Sequence, residues 1–449
     1  MNVSILNIKS IISRIKKSDI GSRMANGAFW SFTGTASAKF IVLIAGIFCA
    51  HILGKEAYGE FGMVRSTINM FIVFGYAGLG LTATKYISEF LRTHRERIPS
   101  IYILTNLFAV CTGIIVTVTV LALAPYLAEK TLQCPELTNA IKVGAVLLFV
   151  TVINGAQNGV LSGLEDFKDI AINTLIGSIA ESILMLLGAY RFGVLGAVLG
   201  YGLGFIALYI ANYIAIRRKF KELDVKVQLS RFNKADLKLL YTFSLPAALS
   251  SIMVMPSFWV VRSMLVRYDS FGELAVYEAA EQWRTIILFI PAAISQIVLP
   301  ILSSLANTET NKYWKVLKIN MLLNGGVAFI IAIFVSLLSG YIMNLYGAGF
   351  GNRWPLIILS LSTVFSALAN VVGLSISSRA KMWMGFLFNT LWAAVFIIMT
   401  KLMLEYHYGA LGVSLALLSS YIMLFLVEYS YLKRCSSKEH DMVENDKSC

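Results

Sequence analysis

The stretch PSFWVVRSMLVRYDSFGELAVYEAAEQWRTIILFIP, residues 256–291, decides the fold of this chain. Two apolar runs flank the short polar segment 269–272, which predicts the end of one membrane-spanning helix, a tight turn and most of a second helix. Charged residues nevertheless interrupt both runs, namely Arg262 before the turn and Glu278, Glu281 and Arg284 after it. A charge at mid-membrane costs at least about 2.5–3.5 kcal/mol, so such residues usually face a bundle interior or a watery cavity.

The rest of the chain repeats this apolar pattern. Hydrophobic residues make up 57% of the 449 residues and charged residues 14%, with a mean hydropathy of +0.72, whereas soluble domains are about 25% charged. Apolar runs of membrane-crossing length predict an all-α polytopic membrane protein with twelve transmembrane helices. The predicted helices cover residues 28–53, 61–87, 99–125, 138–162, 169–190, 192–216, 239–265, 274–303, 316–340, 354–378, 381–404 and 408–432. A β-barrel would instead show alternating segments of about ten residues.

Lys and Arg are unevenly distributed between the connections. They concentrate in the N-terminal segment, in the 217–238 connection and in the other connections on the same side of the predicted helices. The positive-inside rule places this side in the cytoplasm, so both termini are predicted to be cytoplasmic. The net charge of +13 is thus explained by topology, and no nucleic-acid partner is predicted.

Five segments follow from this topology. Residues 1–24 carry isoleucines on one helical stripe and are predicted to lie on the cytoplasmic leaflet. We predict a six-helix bundle over 25–216, a basic cytoplasmic linker over 217–238, a second six-helix bundle over 239–432 and a cytoplasmic tail over 433–449.

The two sets of six helices resemble one another in sequence. YGEF at 58–61 matches FGEL at 271–274 with an offset of 213, and FGVLGAVL at 192–199 matches YGALGVSL at 408–415 with an offset of 216. Since each half contains an even number of helices, both halves enter the membrane from the cytoplasm. A parallel repeat about an axis along the membrane normal is therefore predicted.

Four basic residues lie far inside predicted helices, namely Lys39, Arg65, Arg262 and Arg284. The repeat places all four on the first two helices of the two halves. We therefore predict two parallel six-helix bundles around a central cleft that these side chains line. A cationic cleft favours an anionic cargo, and Arg presents a planar fork of donors to phosphate oxygens.

Three acidic residues, Glu181, Glu278 and Glu281, lie in these apolar segments and leave two interpretations open. They can neutralise the bases, because Glu281 is three residues before Arg284 and position 278 corresponds to Arg65 in the repeat. Alternatively, a buried carboxyl can carry a proton during transport.

Other side chains near these charges are candidates for polar contacts, sugar stacking or hinges. Asn69 follows Arg65 by one helical turn, and Asn173, Ser178 and Ser182 surround Glu181 in the sequence. Trp259 and Trp283 lie close to Arg262 and Arg284 and are candidates for stacking against sugar, although Trp is also common in interfacial belts. Candidate hinges are Pro246, Pro256 and Pro291, because proline removes a helical hydrogen bond.

Catalytic and metal-binding motifs are not found in the sequence. The five cysteines are divided among helices, a loop and the tail, and the four histidines are scattered, so neither a disulfide framework nor a metal site is predicted. We find no phosphate-binding Gly-rich loop followed by Lys-Ser/Thr and no Ser/His/Asp arrangement. No enzyme activity, cofactor or metal is therefore predicted.

Several motifs resemble those of one family of membrane transporters. They are LGKEAYGEFGMV at 53–64, GLGLTATKYISE at 78–89, PAAISQIVLPILSSL at 291–305, LYGAGF at 345–350 and YGALG at 408–412. In order and spacing they resemble the Wzx-like O-antigen or repeat-unit flippases, which share a superfamily with multidrug extruders and lipid II flippases. The resemblance covers about residues 25–432, and twelve spans rather than fourteen favour the repeat-unit branch.

The resemblance implies an inner-membrane flippase that works by alternating access. Its implied substrate is an undecaprenyl-diphosphate-linked oligosaccharide, moved from the cytoplasmic to the outer leaflet for O-antigen, capsule or exopolysaccharide synthesis. The cationic cleft would match the basic residues that family members carry. A monomer among membrane lipids is expected, with the polysaccharide polymerase and chain-length machinery as candidate partners. The alternatives are a drug or organic-cation antiporter of the same superfamily and a non-transporting scaffold subunit.

Overall fold

The computed structural model describes residues 19–76, 78–225, 253–295, 310–378 and 382–447, and all regular secondary structure in these ranges is helical. The helices are α1 Asp19–Leu53, α2 Lys55–Tyr76, α3 Leu79–Thr93, α4 Ile98–Tyr126, α5 Leu137–Gly163, α6 Phe167–Glu222, α7 Val254–Tyr268, α8 Phe271–Ile287, α9 Thr310–Leu337, α10 Ser339–Asn344, α11 Trp354–Ser378, α12 Met382–Glu405 and α13 Gly409–Lys447. Eight helices in these ranges are long and apolar enough to cross a membrane, or nine if α2 and α3 form one broken span. The predicted all-α membrane fold is confirmed at this level.

The span predicted over 61–87 is not one continuous helix. It divides into α2 and α3, which are bent by 42° relative to each other. Gly78 before α3 has φ of +71°, a left-handed conformation that glycine adopts without steric cost. The periodicity of apolar residues continues through the break, which is why the sequence alone suggested a single helix.

Helix α6 is a hairpin of two antiparallel arms. Its chain reverses at Phe192 and Gly193, where Gly193 has φ of +58°. Glycines allow the arms to touch, because a Cβ on Gly200 would lie 2.2 Å from the Leu184 backbone. Asn173 on the first arm donates to Asn212 on the second at 2.9 Å. The predicted boundary between the spans 169–190 and 192–216 is therefore correct.

The turn that the opening stretch predicts is present between α7 and α8. Helix α7 ends at Tyr268, and Ser270 caps α8 by accepting a hydrogen bond from the Glu273 amide at 3.1 Å. A matching turn at Gly54 joins α1 to α2. We call the end of the molecule that carries these two turns the turn end.

Contacts between the two halves of the chain are concentrated on few helices. Helices α1–α6 pack mainly on one another, as do α7–α13, whereas α2 packs against α7 and α8, and α1 packs against α8. Helices α2 and α8 run side by side in the same direction, with Gly59 opposite Phe271 and Gly62 opposite Glu278. Side-by-side packing in one direction is what a parallel repeat requires of corresponding helices.

The candidate hinge prolines have different surroundings. Pro256 lies in the first turn of α7, where the missing N–H breaks no helical hydrogen bond. Pro291 lies four residues after Ile287, the last residue of α8, and has no N–H to bond to the Ile287 carbonyl. The helix is interrupted at Leu288 and resumes over 289–295, so this proline lies at a break within the predicted span. Pro246, the 1–18 part of the N-terminal segment and most of the 217–238 linker lie outside the described residues. Helix α13 continues into the predicted 433–449 tail and ends at Lys447.

Candidate substrate-binding cavity

A cavity of about 660 Å³ lies between the two halves of the chain. Its walls come from α1, α2 and both arms of α6 on one side, and from α7 and α8 on the other. Its volume is typical of small-molecule sites, which measure about 300–1,000 Å³. The charged residues singled out in the sequence all line it, namely Lys39, Arg65, Glu181, Arg262, Glu278, Glu281 and Arg284.

The charged part of the cavity lies near mid-membrane depth. Arg65 is ten residues from the start of α2 at Lys55, which at 1.5 Å per residue is about 15 Å, or half of a hydrocarbon core about 30 Å thick. Other lining residues, such as Thr35 and Asn69, lie farther along their helices from the turn end. The cavity therefore extends from mid-depth away from the turn end.

Glu278 joins the two halves at the centre of the cavity wall. Its carboxylate accepts a hydrogen bond from Arg65 Nη2 at 2.7 Å and another from Arg262 Nε at 2.5 Å. Glu278 is 3% exposed. Arg262 also stacks over the Phe258 and Tyr277 rings, each 5.4 Å from its guanidinium carbon. The Arg65–Glu278–Arg262 cluster carries one surplus positive charge.

Arg284 and Glu281 form a second, self-contained pair on α8. Two parallel bonds of 2.6 Å run from Arg284 Nε and Nη2 to the two Glu281 oxygens. Arg284 is 8% exposed and stacks over Phe258 at 5.7 Å. Its remaining nitrogen, Nη1, is buried without a hydrogen-bond partner in the described part of the chain. A buried donor without a partner is costly unless a bound group satisfies it.

Lys39 and Glu181 are the two charges of the cavity that have no ion-pair partner among the described residues. Lys39 on α1 is half-buried. Glu181 lies on the first arm of α6, where Gly204 on the second arm packs directly against its backbone and Cβ. With Lys39 and the Arg65–Glu278–Arg262 cluster, the cavity is net positive whether Glu181 is ionised or neutral.

The first-half wall of the cavity also contains neutral polar and aromatic side chains. Ser66 and Asn69 come from α2, Thr174 and Ser178 from the first arm of α6, and Tyr201 and Phe205 from the second arm. Asn69 and Ser178 were singled out in the sequence, whereas Ser66 and Thr174 were not. Tyr201, Phe205 and Phe258 were not recognised, because an aromatic residue in an apolar span carries no signal that distinguishes a cavity wall from a lipid-facing surface.

The two candidate tryptophans do not line this cavity. Trp259 Nε1 donates to Thr67 Oγ1 at 2.9 Å and so bridges the two halves. Trp283 packs against the hydrophobic core. This arrangement gives neither ring a wall position from which it could stack against a sugar, because both are used in packing.

At the turn end the two halves are in direct contact. Lys55 lies 3.5 Å from Glu273, and His51 Nε2 contacts the Leu345 carbonyl at 2.8 Å. Deeper in, Gln282 donates to the Tyr58 hydroxyl at 2.6 Å and accepts from the Tyr346 hydroxyl at 3.1 Å. These contacts separate the cavity from the turn end.

The α7–α8 turn also carries a titratable group outside the spans. Partial burial, reinforced by the nearby Glu273 carboxylate, raises the pKa of Asp269, whereas His407 and Lys55 oppose the shift. Asp269, which does not line the cavity, is therefore protonated more readily than an ordinary Asp.

Comparison with known proteins identifies the family. A sequence model described as "polysaccharide biosynthesis protein" matches residues 24–306. The chain belongs to this family. The expectation of a Wzx-like polysaccharide flippase family is thereby confirmed. A relative named EPS I polysaccharide export inner membrane protein EpsE, from Ralstonia nicotianae, is 24% identical over 405 residues, which are 87% of this chain and 89% of the relative. The present chain, like the relatives named as inner-membrane proteins, is a multi-pass inner-membrane protein.

Solved structures of transporters share the fold. The inward-facing conformation of a multidrug-resistance MATE family transporter of the MOP superfamily superposes with a TM-score of 0.74 at 17% identity, covering 90% of this chain and 96% of that one. The outward-facing conformation gives a TM-score of 0.71 at 16% identity, covering 95% and 98%. At this level of identity the likeness establishes a MATE-like fold.

Proposed function

We propose that this protein is a flippase that moves undecaprenyl-diphosphate-linked oligosaccharide repeat units from the cytoplasmic to the outer leaflet by alternating access. The observation that carries the proposal is the net-positive cavity at mid-membrane depth between the two halves. The family and the polysaccharide export named for the EpsE relative support it. The product would serve O-antigen, capsule or exopolysaccharide synthesis, and the protein itself performs no catalysis.

The proposed architecture is twelve spans in two parallel six-helix bundles. The α6 hairpin supports the separation of the fifth and sixth spans, and the side-by-side course of α2 and α8 supports the parallel repeat. We assign the turn end to the outer face and both termini to the cytoplasm on the positive-inside bias. In this orientation the cavity extends toward the cytoplasm and the turn-end contacts close the outer face, which is the arrangement needed to receive a cytoplasmic substrate.

The arginines of the cavity are suited to the diphosphate. Glu278 can orient only some of the donors of Arg65 and Arg262, so both retain N–H groups for phosphate oxygens. Arg284 Nη1 is already desolvated and unpaired, so a phosphate oxygen would gain a hydrogen bond there without further desolvation of that donor. The polyprenyl tail can remain in the bilayer. An inside-negative potential favours outward movement of the anion by about 2.3 kcal/mol per charge per 100 mV.

Proton coupling is a separate proposal about the driving force. Glu278 and Glu281 are occupied by arginines, whereas Glu181 has no counter-charge within ion-pair distance among the described residues. Glu181 is therefore the carboxyl best placed to exchange a proton. Flipping in vesicles at fixed membrane potential should respond to a pH gradient in the native protein and lose that response in Glu181→Gln. A native rate independent of the gradient would exclude coupling.

The second candidate function is a drug or organic-cation antiporter, which the MATE-like fold favours. The charge of the cavity opposes it, because cationic cargo requires an acidic site. Deleting the gene distinguishes the two candidates. Lipid-linked repeat units should accumulate on the cytoplasmic face without a change in drug sensitivity, whereas an antiporter would show the reverse.

Substitution of the arginines tests the site itself. Arg262→Ala combined with Arg284→Ala should fail to restore surface polysaccharide to the deletion strain. Arg191→Ala, at an exposed position outside the cavity, is the matched control and should restore it fully. Both proteins must reach normal levels in the membrane. Undiminished surface polymer with the double variant would refute the assignment of these arginines to the substrate.

A further inference from the structure

We infer that the first-half wall of the cavity is a sugar subsite, formed by Ser66, Asn69, Thr174, Ser178, Tyr201 and Phe205. The inference rests on the proposed function and adds which part of the substrate each wall binds. The arginine cluster takes the diphosphate, and this wall takes the first sugars attached to it. The argument uses the chemistry of the wall, the state of its hydrogen bonds and its position.

The two walls differ in chemistry. The second-half wall contributes Arg262, Arg284 and their two carboxylate partners. The neutral polar side chains of the first-half wall instead lie beside aromatic rings, and Tyr201 and Phe205 contact each other edge-on at 5.0 Å. Hydroxyl and amide groups next to apolar ring faces suit a ligand that carries many hydroxyls on an otherwise apolar ring. A sugar is such a ligand, whereas a phosphate is not.

The two serine hydroxyls of this wall are available. Neither Ser66 nor Ser178 has a hydrogen-bond partner in the part of the chain that the structure describes, and Ser178 is 9% exposed. Serines in apolar helices commonly bond to a carbonyl of the preceding turn, as Thr174 does with Ile170 at 2.7 Å. Two serines that do not, at the edge of a cavity, leave donors and acceptors for a ligand.

The position of the wall matches the covalent structure of the substrate. Ser66 is adjacent to Arg65 in the chain, and Asn69 is one helical turn away, about 6 Å along the axis. On α6, Thr174, Ser178 and Glu181 recur at helical spacing and therefore share a face. A diphosphate held by the Arg65–Glu278–Arg262 cluster thus places its first sugar beside these residues. Lys39 and Glu181, which lack partners, border the same wall and can engage charged sugar substituents.

Binding measurements with two lipids test the inference. Full-length protein in nanodiscs is titrated with undecaprenyl diphosphate and with the lipid-linked repeat unit extracted from cells lacking this gene. The native protein should bind both, and the glycosylated lipid more tightly. Ser66→Ala combined with Ser178→Ala should weaken binding of the glycosylated lipid about tenfold, since two hydrogen bonds are lost, and leave binding of the bare diphosphate unchanged. Phe205→Leu should act in the same direction as an independent variant.

The controls separate the two proposals. Thr119→Val removes a hydroxyl outside the cavity that is bonded to the Ile115 carbonyl at 2.8 Å, and both affinities should stay native. Arg284→Ala should weaken both ligands together. If the serine pair and Phe205→Leu bind both lipids like the native protein, the sugar subsite is refuted and the proposed function stands. If the native protein binds neither lipid, the proposed function fails and the subsite fails with it.

Discussion

The buried carboxylate of Glu278 provides the sharpest test of how the two halves are held together. Glu278 is 3% exposed and accepts bonds of 2.7 Å and 2.5 Å from Arg65 and Arg262, which come from different halves. In Glu278→Gln the amide keeps one acceptor oxygen but loses the charge, and its NH₂ group faces guanidinium donors. Removing one partner from a buried ion pair costs about 3–5 kcal/mol, because the opposite charge remains buried. We expect a loss of about 3 kcal/mol, since one acceptor is retained.

The measurement is the free energy of unfolding of the purified protein, titrated from a mild detergent into sodium dodecyl sulfate. Glu428→Gln is the matched control, because Glu428 is 4% exposed on α13 and has no basic partner among the described residues. Its substitution removes no ion pair within the described ranges, so the expected change is within about 1 kcal/mol. The contrast between two equally buried glutamates isolates the contribution of the arginines from the effect of burial.

A Glu278→Gln variant as stable as the control would refute this reasoning. It would mean that water in the cavity solvates the arginines well enough to replace the carboxylate. Arg65 provides the internal check, because its side chain is 20% exposed whereas that of Arg262 is 11% exposed. If water penetration were the explanation, Arg65→Met would cost less than Arg262→Met.

Two further predictions concern the turn end. A Cβ on Gly59 would lie 1.9 Å from the Phe271 carbonyl oxygen, so Gly59→Ala should force the halves apart there and lengthen spin-label distances between the two turns. Gly326→Ala, with open space at the Cβ position, should not lengthen them, and equal distances in both variants would contradict the packing described. The pKa of Asp269 is raised by burial and by Glu273, so the ionised form is disfavoured in the folded state. Asp269→Asn should therefore raise the thermal midpoint at pH 7, with the difference vanishing below about pH 3.9, the ordinary Asp value; a lowered midpoint at pH 7 would show that the attraction to Lys55 and His407 dominates.

The repeat in the sequence indicated one residue pair of the site, as one of the two interpretations left open for the acidic residues. The offset of 213 placed Glu278 opposite Arg65, and these residues are 2.7 Å apart. The spacing of Glu281 and Arg284 predicted the second pair. Both predictions rest on geometry that sequence encodes directly, namely helical periodicity and the correspondence of repeat-related positions near an axis.

Other features could not be predicted because membrane helices lack the usual contrast between interior and surface. Lipid is as apolar as a protein core, so apolar periodicity did not show that Tyr201 and Phe205 face the cavity. The break at Gly78 was missed for a related reason, because a glycine within an apolar run is common in membrane helices. That Arg262 would share Glu278 with Arg65 depends on the distance between α2, α7 and α8, which no pattern within a single helix specifies.

The two halves differ in charge at corresponding positions, and this difference explains how charged residues can meet at the axis between them. Identical halves would place like charges at corresponding positions, and two such charges about 4 Å apart repel by about 4 kcal/mol at an effective dielectric constant of 20. The chain instead has Arg65 opposite Glu278, so the contact at the axis is attractive. The second half then adds Arg262 where the corresponding position of the first half holds the buried Cys49. The repeat pair 65/278 thus joins the two halves, and the repeat pair 49/262 supplies the surplus positive charge through Arg262. Because Glu278 bonds to both arginines, holding the halves together and binding an anion depend on the same carboxylate.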